Sequence, residues 1–151
     1  MTNEDREWIL TANGSGYRLF AHDKKLAPLQ ELRKVDWPTG RMAGRDIDAD
    51  RPGRSFDSGG QGRHAMEPRT TAHDEEENRL ARDIAQMLAE AAQRGDYRKL
   101  VIISAPRLLG HLRDVLPAAV KQSVSLEIDK DLTGYDAGEL TDWLRREVWE
   151  K

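Results

Sequence analysis

A segment rich in arginine and glycine, residues 38–73, carries the side chains best suited to binding phosphate. It contains six arginines, no lysine and five acidic residues. A guanidinium fork matches the oxygens of a phosphate or a carboxylate better than an ammonium group does. The candidate RNA-binding residues are Arg51, Arg54, Arg63 and Arg69. Aspartates at positions 46, 48, 50 and 57 lie among them, so a solvated, salt-bridged segment is an equally supported interpretation.

Histidines and acids around residue 73 have the residue types of metal ligands. They are His64, His73, Asp74, Glu75 and Glu76. Metal ligands need to converge from rigid elements, whereas this pattern is typical of a helix cap beside solvated histidines. There is no cysteine, which excludes disulfides, thiolate zinc sites, iron–sulfur clusters and a cysteine nucleophile. We therefore expect no metal and no cofactor.

Two aspartates and a serine follow predicted strands and need a separate interpretation. Asp129 and Asp131 come directly after the alternating run at 124–128. A metal-dependent nuclease of this topology would also need acids on its first and central strands, and WILTA (8–12) and LVIIS (100–104) have none. Ser104 lacks the GxSxG context of a catalytic serine, so we interpret it as the start of a helix.

The first half of the chain predicts a β-hairpin and then a long loop. The run 8–22 has β-forming residues on both sides of NGSG, a strong turn signal. Leucines and valine at a spacing of three leave 29–35 open between helix and strand. Residues 38–73 hold six of the 12 glycines and three of the six prolines, without Leu or Val. This composition predicts a mobile loop.

The second half predicts alternating helices and strands. A helix over 74–94 begins at a capping-box pattern, Asp74 and Glu77, and ends before Gly95. Strands are predicted at 100–104 and 124–128, with a helix from Pro106 between them. A last helix follows the capping pattern of Asp136 and Glu139. This order predicts two neighbouring parallel strands.

The predicted core combines one strand with one helix face. We expect Val101 and Ile103 to be buried beside the apolar stripe formed by Leu80, Ile84 and Leu88. The four tryptophans should lie in or near the core, with Trp37 at the root of the long loop.

Length and charge bound the class of protein. A chain of 151 residues has room for one domain, 1–151. The net charge is −3 and the mean hydropathy is −0.77, so nucleic-acid binding would need a local basic patch. No apolar run approaches the roughly 20 residues of a membrane span, and the acidic start does not resemble a signal peptide. We expect a cytoplasmic monomer without a membrane partner.

Four sequence runs resemble a bacterial family described as proteins required for attachment to host cells. They are WILTANGSGYRLF at 8–20, DRPGRSFDSGGQGRHAMEP at 50–68, LVIISAPRLLGHLR at 100–113 and DKDLT at 129–133. That family in turn looks like the middle domain of archaeal and eukaryotic class I release factors. The resemblance implies an α/β fold with a mixed five-stranded sheet, an antiparallel meander of three strands plus two parallel strands, flanked by helices. It favours a strand at 29–35.

The release-factor resemblance also gives a meaning to Gly59, Gly60 and Gln61. The middle domain of release factors carries a Gly-Gly-Gln tripeptide on a loop just before a long helix. Two glycines permit backbone angles and close approaches that other residues cannot reach. The glutamine N–H can then stabilise an oxyanion while its side chain places water. The alternative is that SGGQGR, 58–63, is only a flexible glycine tract.

The resemblance implies a small translation-associated protein whose partner is the ribosome or tRNA. Its tripeptide would be presented to the ribosome, and whether it catalyses peptidyl-tRNA hydrolysis in ribosome rescue stays open. One alternative is a non-catalytic module that binds RNA or the ribosome through its arginines. Another is a protein-interaction role in attachment to host cells, which the family description suggests.

Overall fold

One mixed β-sheet organises the molecule. A computed structural model describes residues 6–22, 28–37 and 61–150, and for 61–71 it describes the backbone. The sheet has the order β3-β2-β1-β4-β5. Its strands are β1 (Glu7–Asn13), β2 (Gly16–His22), β3 (Gln30–Asp36), β4 (Lys99–Ser104) and β5 (Val124–Ile128).

The strand pairing confirms the expected arrangement. β1 and β2 form an antiparallel hairpin that closes through the pair Asn13 and Gly16, and β2 pairs antiparallel with β3. β4 is parallel to both β1 and β5. The open segment 29–35 is therefore a strand, because pairing along β2 outweighs the spacing of its apolar residues. Gly16 has a φ of +146°, an angle that favours glycine in this turn.

The long helix α1 begins earlier than the sequence predicts. α1 spans Gln61–Arg94, so residues 61–73 are helical and the predicted loop is wrong there. Residues 38–60, and the prediction of mobility for them, lie outside the described residues. Glycine and proline disfavour starting a helix in this segment, but adding residues to an existing helix costs far less than nucleating one. Asp74 is thus an interior residue of α1 and not a cap.

Three shorter helices follow the predicted order with one addition. α2 spans Pro106–Val115 with proline in its first turn. α3 (Ala118–Ser123) is a short helix that the sequence did not predict. α4 (Ala137–Leu144) begins at the predicted capping box, in which Asp136 and Glu139 bond reciprocally, and leads into a π-helical turn, Arg145–Trp149.

Apolar clusters cover both faces of the sheet. The helix stripe of α1 and α2 packs on one face against residues such as Leu10, Leu100 and Ile102. α4 and the π-helical turn pack on the other face, against Ile9, Phe20, Val101 and Ile103. Val101 and Ile103 are buried as predicted, but their expected position beside the α1 stripe is wrong. Alternation along β4 points them to the α4 face.

The carboxyl ends of β1, β4 and β5 lie at one edge of the sheet, since these strands are parallel. The Ala105 N–H bonds the Ala12 carbonyl there, at 3.1 Å, which fixes the start of α2 beside the end of β1. α1 contacts the start of α2 through Asp74 and Arg107. Its first 13 residues, 61–73, add about 20 Å of helix before that contact. In the described residues no helix has the length and apolarity needed to cross a membrane.

Candidate functional site

The predicted site residues fall partly on α1. Gln61 is the first residue of this helix, and Arg63 and Arg69 follow in its first three turns. Gly59 and Gly60, together with Arg51 and Arg54, lie outside the described residues. The structure therefore places three of the seven predicted residues on one helix, and the arrangement of the set stays a prediction.

Four charged or titratable side chains meet where α1 crosses the start of α2. We call Asp74, Glu77, Arg107 and His111 the α1–α2 cluster. Arg107 donates to Asp74 Oδ1 from Nη2 at 2.8 Å and from Nε at 3.2 Å. His111 Nε2 lies 3.5 Å from Asp74 Oδ1 and 3.8 Å from Glu77 Oε1. Two helices thus bring two carboxylates, an imidazole and a guanidinium together.

Burial within the α1–α2 cluster is uneven. Asp74 and Arg107 are half exposed, whereas about a fifth of the Glu77 and His111 side chains is exposed. Glu77 Oε1 is a buried oxygen with no hydrogen-bond partner in the described structure. A Cβ at Gly14 would lie 2.9 Å from Glu77 Oε2, so this carboxylate packs against the β1–β2 turn.

The electrostatics of the α1–α2 cluster follow from its ion pair. The hydrogen bond from Arg107 is the main cause that lowers the pKa of Asp74 below its ordinary value, and His111 adds to it. The same bond raises the pKa of Arg107. The Asp74 carboxylate is therefore held in its charged form, the form that binds cations.

A second polar cluster joins the end of β1 to the segment after β5, on the α4 face. We call Asn13, Asp131 and Thr133 the Asn13–Asp131 clip. Asn13 Nδ2 donates to Asp131 Oδ2 and to Thr133 Oγ1, both at 2.9 Å. Thr133 donates to Asp131 Oδ1 from its hydroxyl at 2.6 Å and from its N–H at 3.1 Å. Both oxygens of Asp131 are thus occupied, which favours a structural role over a catalytic one.

Burial and hydrogen bonding oppose each other at Asp131. Burial alone would raise the pKa of this carboxyl, but the hydrogen bonds from Thr133 and Asn13 lower it further than burial raises it. Beside the clip, Arg18 Nη1 donates to the Thr133 carbonyl at 3.3 Å and forms a two-bond pair with Glu31. That pair raises the pKa of Arg18 and lowers the pKa of Glu31.

Two clefts are further surface features of the described residues. A cleft of about 140 Å³ next to the clip is lined by Arg18, Lys34 and Asp36 among others, and is smaller than typical small-molecule pockets. A cleft of about 440 Å³ lies between the end of α1 and α3, with Arg98 as its charged lining residue. Tyr97, also in its wall, donates to the Leu88 carbonyl, and burial raises its pKa to about 12. This phenol is neutral and unsuited to act as a base.

Sequence reasoning singled out Asp74 but not its actual neighbours. Arg107 and His111 were missed because they lie more than 30 residues along the chain. The available signal was their spacing of four on one helix face, opposite acids spaced by three on another. Ser104, predicted as a helix start, is the buried last residue of β4, and α2 begins two residues later.

The sequence of this chain matches a family model over residues 8–144, and that family is described as "Protein required for attachment to host cells". The chain belongs to this family. An uncharacterized protein of Rickettsia prowazekii (strain Madrid E) is 35% identical to this chain over 73 residues. That alignment covers 47% of this chain and 49% of the Rickettsia protein, so the chain matches about half the length of this curated relative.

A solved structure shares the fold of this host-attachment family member. A structure described as an archaeal protein has a TM-score of 0.51 and 10% identity, and covers 96% of this chain and 34% of its own. The archaeal translation termination factor aRF1 has a TM-score of 0.49 and 11% identity, over 88% of this chain and 33% of its own. The matches cover about a third of each of those longer chains, and the likeness to the archaeal protein concerns the fold alone.

Proposed function

We propose that this protein is a cytoplasmic factor that associates with the ribosome or with tRNA and presents Gly59-Gly60-Gln61 to promote hydrolysis of peptidyl-tRNA. One observation carries the proposal. α1 begins at Gln61, so the two glycines directly precede a helix of 34 residues. This is the sequence context that the release-factor resemblance predicts for the tripeptide.

The position of Gln61 supplies a chemical reason for the activity. The first four N–H groups of an α-helix have no acceptor within the helix, and the N–H of Gln61 is one of them. The positive end of the helix dipole adds to the stabilisation of a negative charge there. An N–H without an acceptor in its own helix is the kind of donor that an ester hydrolysis needs for its tetrahedral oxyanion.

The length of α1 sets the distance between the tripeptide and the contact of α1 with α2. Asp74 of α1 pairs with Arg107 of α2, and 13 residues of α1 precede Asp74. A helix rises about 1.5 Å per residue, which separates Gln61 from the Asp74 contact by about 20 Å. Arg63 and Arg69 occur along this part of the helix and would meet the phosphates of a nucleic-acid partner.

The deciding experiment measures release of labelled peptide from stalled ribosomes. We expect the wild-type protein to release peptide and Gly60→Ala to lose roughly 10²–10³-fold in rate, the usual loss for a missing oxyanion donor. Gln61→Ala should keep partial activity, because the backbone N–H remains. The matched control is Gly110→Ala, since a Cβ at Gly110 meets nothing within 4 Å.

Each other outcome selects a different function. If the wild-type protein binds ribosomes without releasing peptide above background, the catalytic proposal fails and a non-catalytic binding module remains. If it neither binds nor releases, the translation proposal fails altogether. The family description, attachment to host cells, then makes a protein-interaction role the better account.

A second measurement tests the arginines separately. Each phosphate contact of a cation adds about one unit to the salt dependence of nucleic-acid binding. The double variant Arg54→Ala, Arg63→Ala should bind ribosomes more weakly and with a salt slope lower by about two units. An unchanged slope would favour the solvated, salt-bridged interpretation of these arginines.

A further inference from the structure

We propose that Asp74, Glu77 and His111 form a binding site for a divalent transition-metal ion, with Zn²⁺ as the best match, at the crossing of α1 and α2. This site is independent of the tripeptide and of the proposed translation function. The sequence pattern offered Asp74 with His64 and His73 as candidate ligands, and the expectation there was that no metal binds. The imidazole comes instead from α2.

The distances between the three side chains suit a shared ion. One donor atom from each residue lies within 4.8 Å of the other two. Two of the separations, 3.5 Å and 3.8 Å from His111 Nε2 to the carboxylate oxygens, are close to the edge of a zinc tetrahedron. That edge is about 3.4 Å for ligands at 2.0–2.1 Å.

A buried oxygen is the independent observation that points to a ligand. Glu77 Oε1 is shielded from solvent and accepts no hydrogen bond from the described residues. An unsatisfied buried carboxylate oxygen costs free energy, and Arg107 Nε lies 3.5 Å away, beyond good hydrogen-bond distance. A metal ion among the three donors would satisfy this oxygen. The absent side chain of Gly14 leaves space for the same carboxylate, since a Cβ there would lie 2.9 Å from Glu77 Oε2.

Arg107 currently neutralises the carboxylates and would be displaced. Its guanidinium bonds to Asp74 Oδ1, the same oxygen that the proposed ion would use. Half of the side chain is exposed, so the guanidinium can turn into solvent at little cost. Arg107 therefore competes with the metal ion and is not a ligand. Its removal should raise the affinity for the metal.

The donor set selects the class of ion. One imidazole and two carboxylates suit Zn²⁺ and its transition-metal neighbours. Mg²⁺ and Ca²⁺ prefer oxygen ligands only, and Ca²⁺ takes six to eight of them. A zinc ion would keep one position for water, with three ligands from the protein.

The experiment titrates the purified full chain with Co²⁺, followed by visible absorption, and with Zn²⁺, followed by calorimetry. We expect one saturable site, with Zn²⁺ competing for Co²⁺. Asp74→Asn and His111→Ala should each weaken binding by more than the roughly 10–100-fold that loss of an outer-shell partner costs. Circular dichroism checks that each variant is folded. If His111→Ala is unstable, Asp74→Asn still tests the site, because Asp74 is half exposed and its substitution should not unfold the protein.

Arg107→Ala should change affinity in the opposite direction. Two unit charges at about 4 Å interact in water by an amount that corresponds to roughly fivefold in binding, so Zn²⁺ affinity should rise at least about fivefold. The matched control is Asp83→Asn, an exposed carboxylate of α1 about 9 Å along the axis from Glu77. It should leave affinity unchanged.

Three results would overturn the metal site. They are the absence of saturable Zn²⁺ binding by wild type, binding that His111→Ala leaves intact, and equal binding of Ca²⁺ and Zn²⁺. The last two would describe an unselective acidic surface. None of these measurements uses ribosomes, so their result does not depend on the proposed peptide release.

Discussion

The Asn13–Asp131 clip and the α1–α2 cluster lie at the same edge of the sheet, on opposite faces, and contrast in hydrogen bonding. In the clip, both oxygens of Asp131 accept hydrogen bonds from side chains or backbone. In the α1–α2 cluster, Glu77 keeps a buried oxygen without such a bond. The first arrangement is complete within the described residues, whereas the second leaves one carboxylate oxygen unsatisfied.

This difference separates a structural cluster from a candidate binding site. Saturated polar groups resist rearrangement, because any ligand must first break existing bonds. An exposed guanidinium that neutralises two carboxylates holds them less firmly than these saturated hydrogen bonds do, because solvent screens the ion pairs. Polarity and position at the carboxyl ends of parallel strands are shared by both clusters, so neither property alone identifies a site.

The largest effect should come from the turn that joins the two clusters. Gly16→Ala introduces a Cβ about 2.2 Å from the Val35 carbonyl oxygen, at a φ of +146°. Strained backbone and a clash with backbone together should cost about 3 kcal/mol or more. Urea denaturation measures this loss, and Gly134→Ala, whose Cβ meets nothing within 4 Å, is the control. Equal midpoints for the two variants would show that this turn does not fix the clusters.

The next effect tests the clip. Asn13→Ala removes three side-chain hydrogen bonds: it leaves Asp131 Oδ2 without its donor, and it also removes the bond to Thr133 and the one that Asn13 Oδ1 accepts from the Ser15 N–H. We expect a loss of about 1–3 kcal/mol in unfolding free energy, the range for an unsatisfied polar group. Gln86→Ala serves as a control, because this amide is exposed and has one hydrogen bond, to Glu90. A cost no greater than that of the control would contradict the structural role of the clip.

The pH dependence of stability sharpens the same comparison. The folded pKa of Asp131 lies below the ordinary value of 3.8. Its contribution is therefore fully present above that value and is lost as the pH falls through the lowered pKa. Asn13→Ala removes one of the bonds that lower this pKa, so the stability gap between wild type and variant should narrow below about pH 4. A constant gap across the acid range would assign the cost of Asn13→Ala to packing and to the lost bond from the Ser15 N–H, and not to Asp131.

Local sequence patterns predicted several elements of the fold but not the partners within either cluster. Local patterns predicted the hairpin, the βαβ order and the capping box at Asp136 correctly, because each depends on neighbours within a few residues. Asp74 and Glu77 matched the same capping pattern, yet they lie inside α1 and face α2. Their partners are set by helix packing, which pairs residues more than 30 positions apart. The clip joins residues 118 and 120 apart for the same reason.

The smallest effect should come from the ion pair of the α1–α2 cluster. Arg107→Ala removes the bonds to Asp74, but both side chains are half exposed, and solvent screens such pairs. Its effect on the urea midpoint should be smaller than that of Asn13→Ala and should shrink further as ionic strength rises. The control is Arg82→Ala, an exposed arginine of α1 with no ion pair in the described part of the chain. A loss as large as that for Asn13→Ala, and independent of salt, would mean that the α1–α2 cluster is as structural as the clip. The two clusters would then not differ in kind, and a metal ion would not displace Arg107 as proposed.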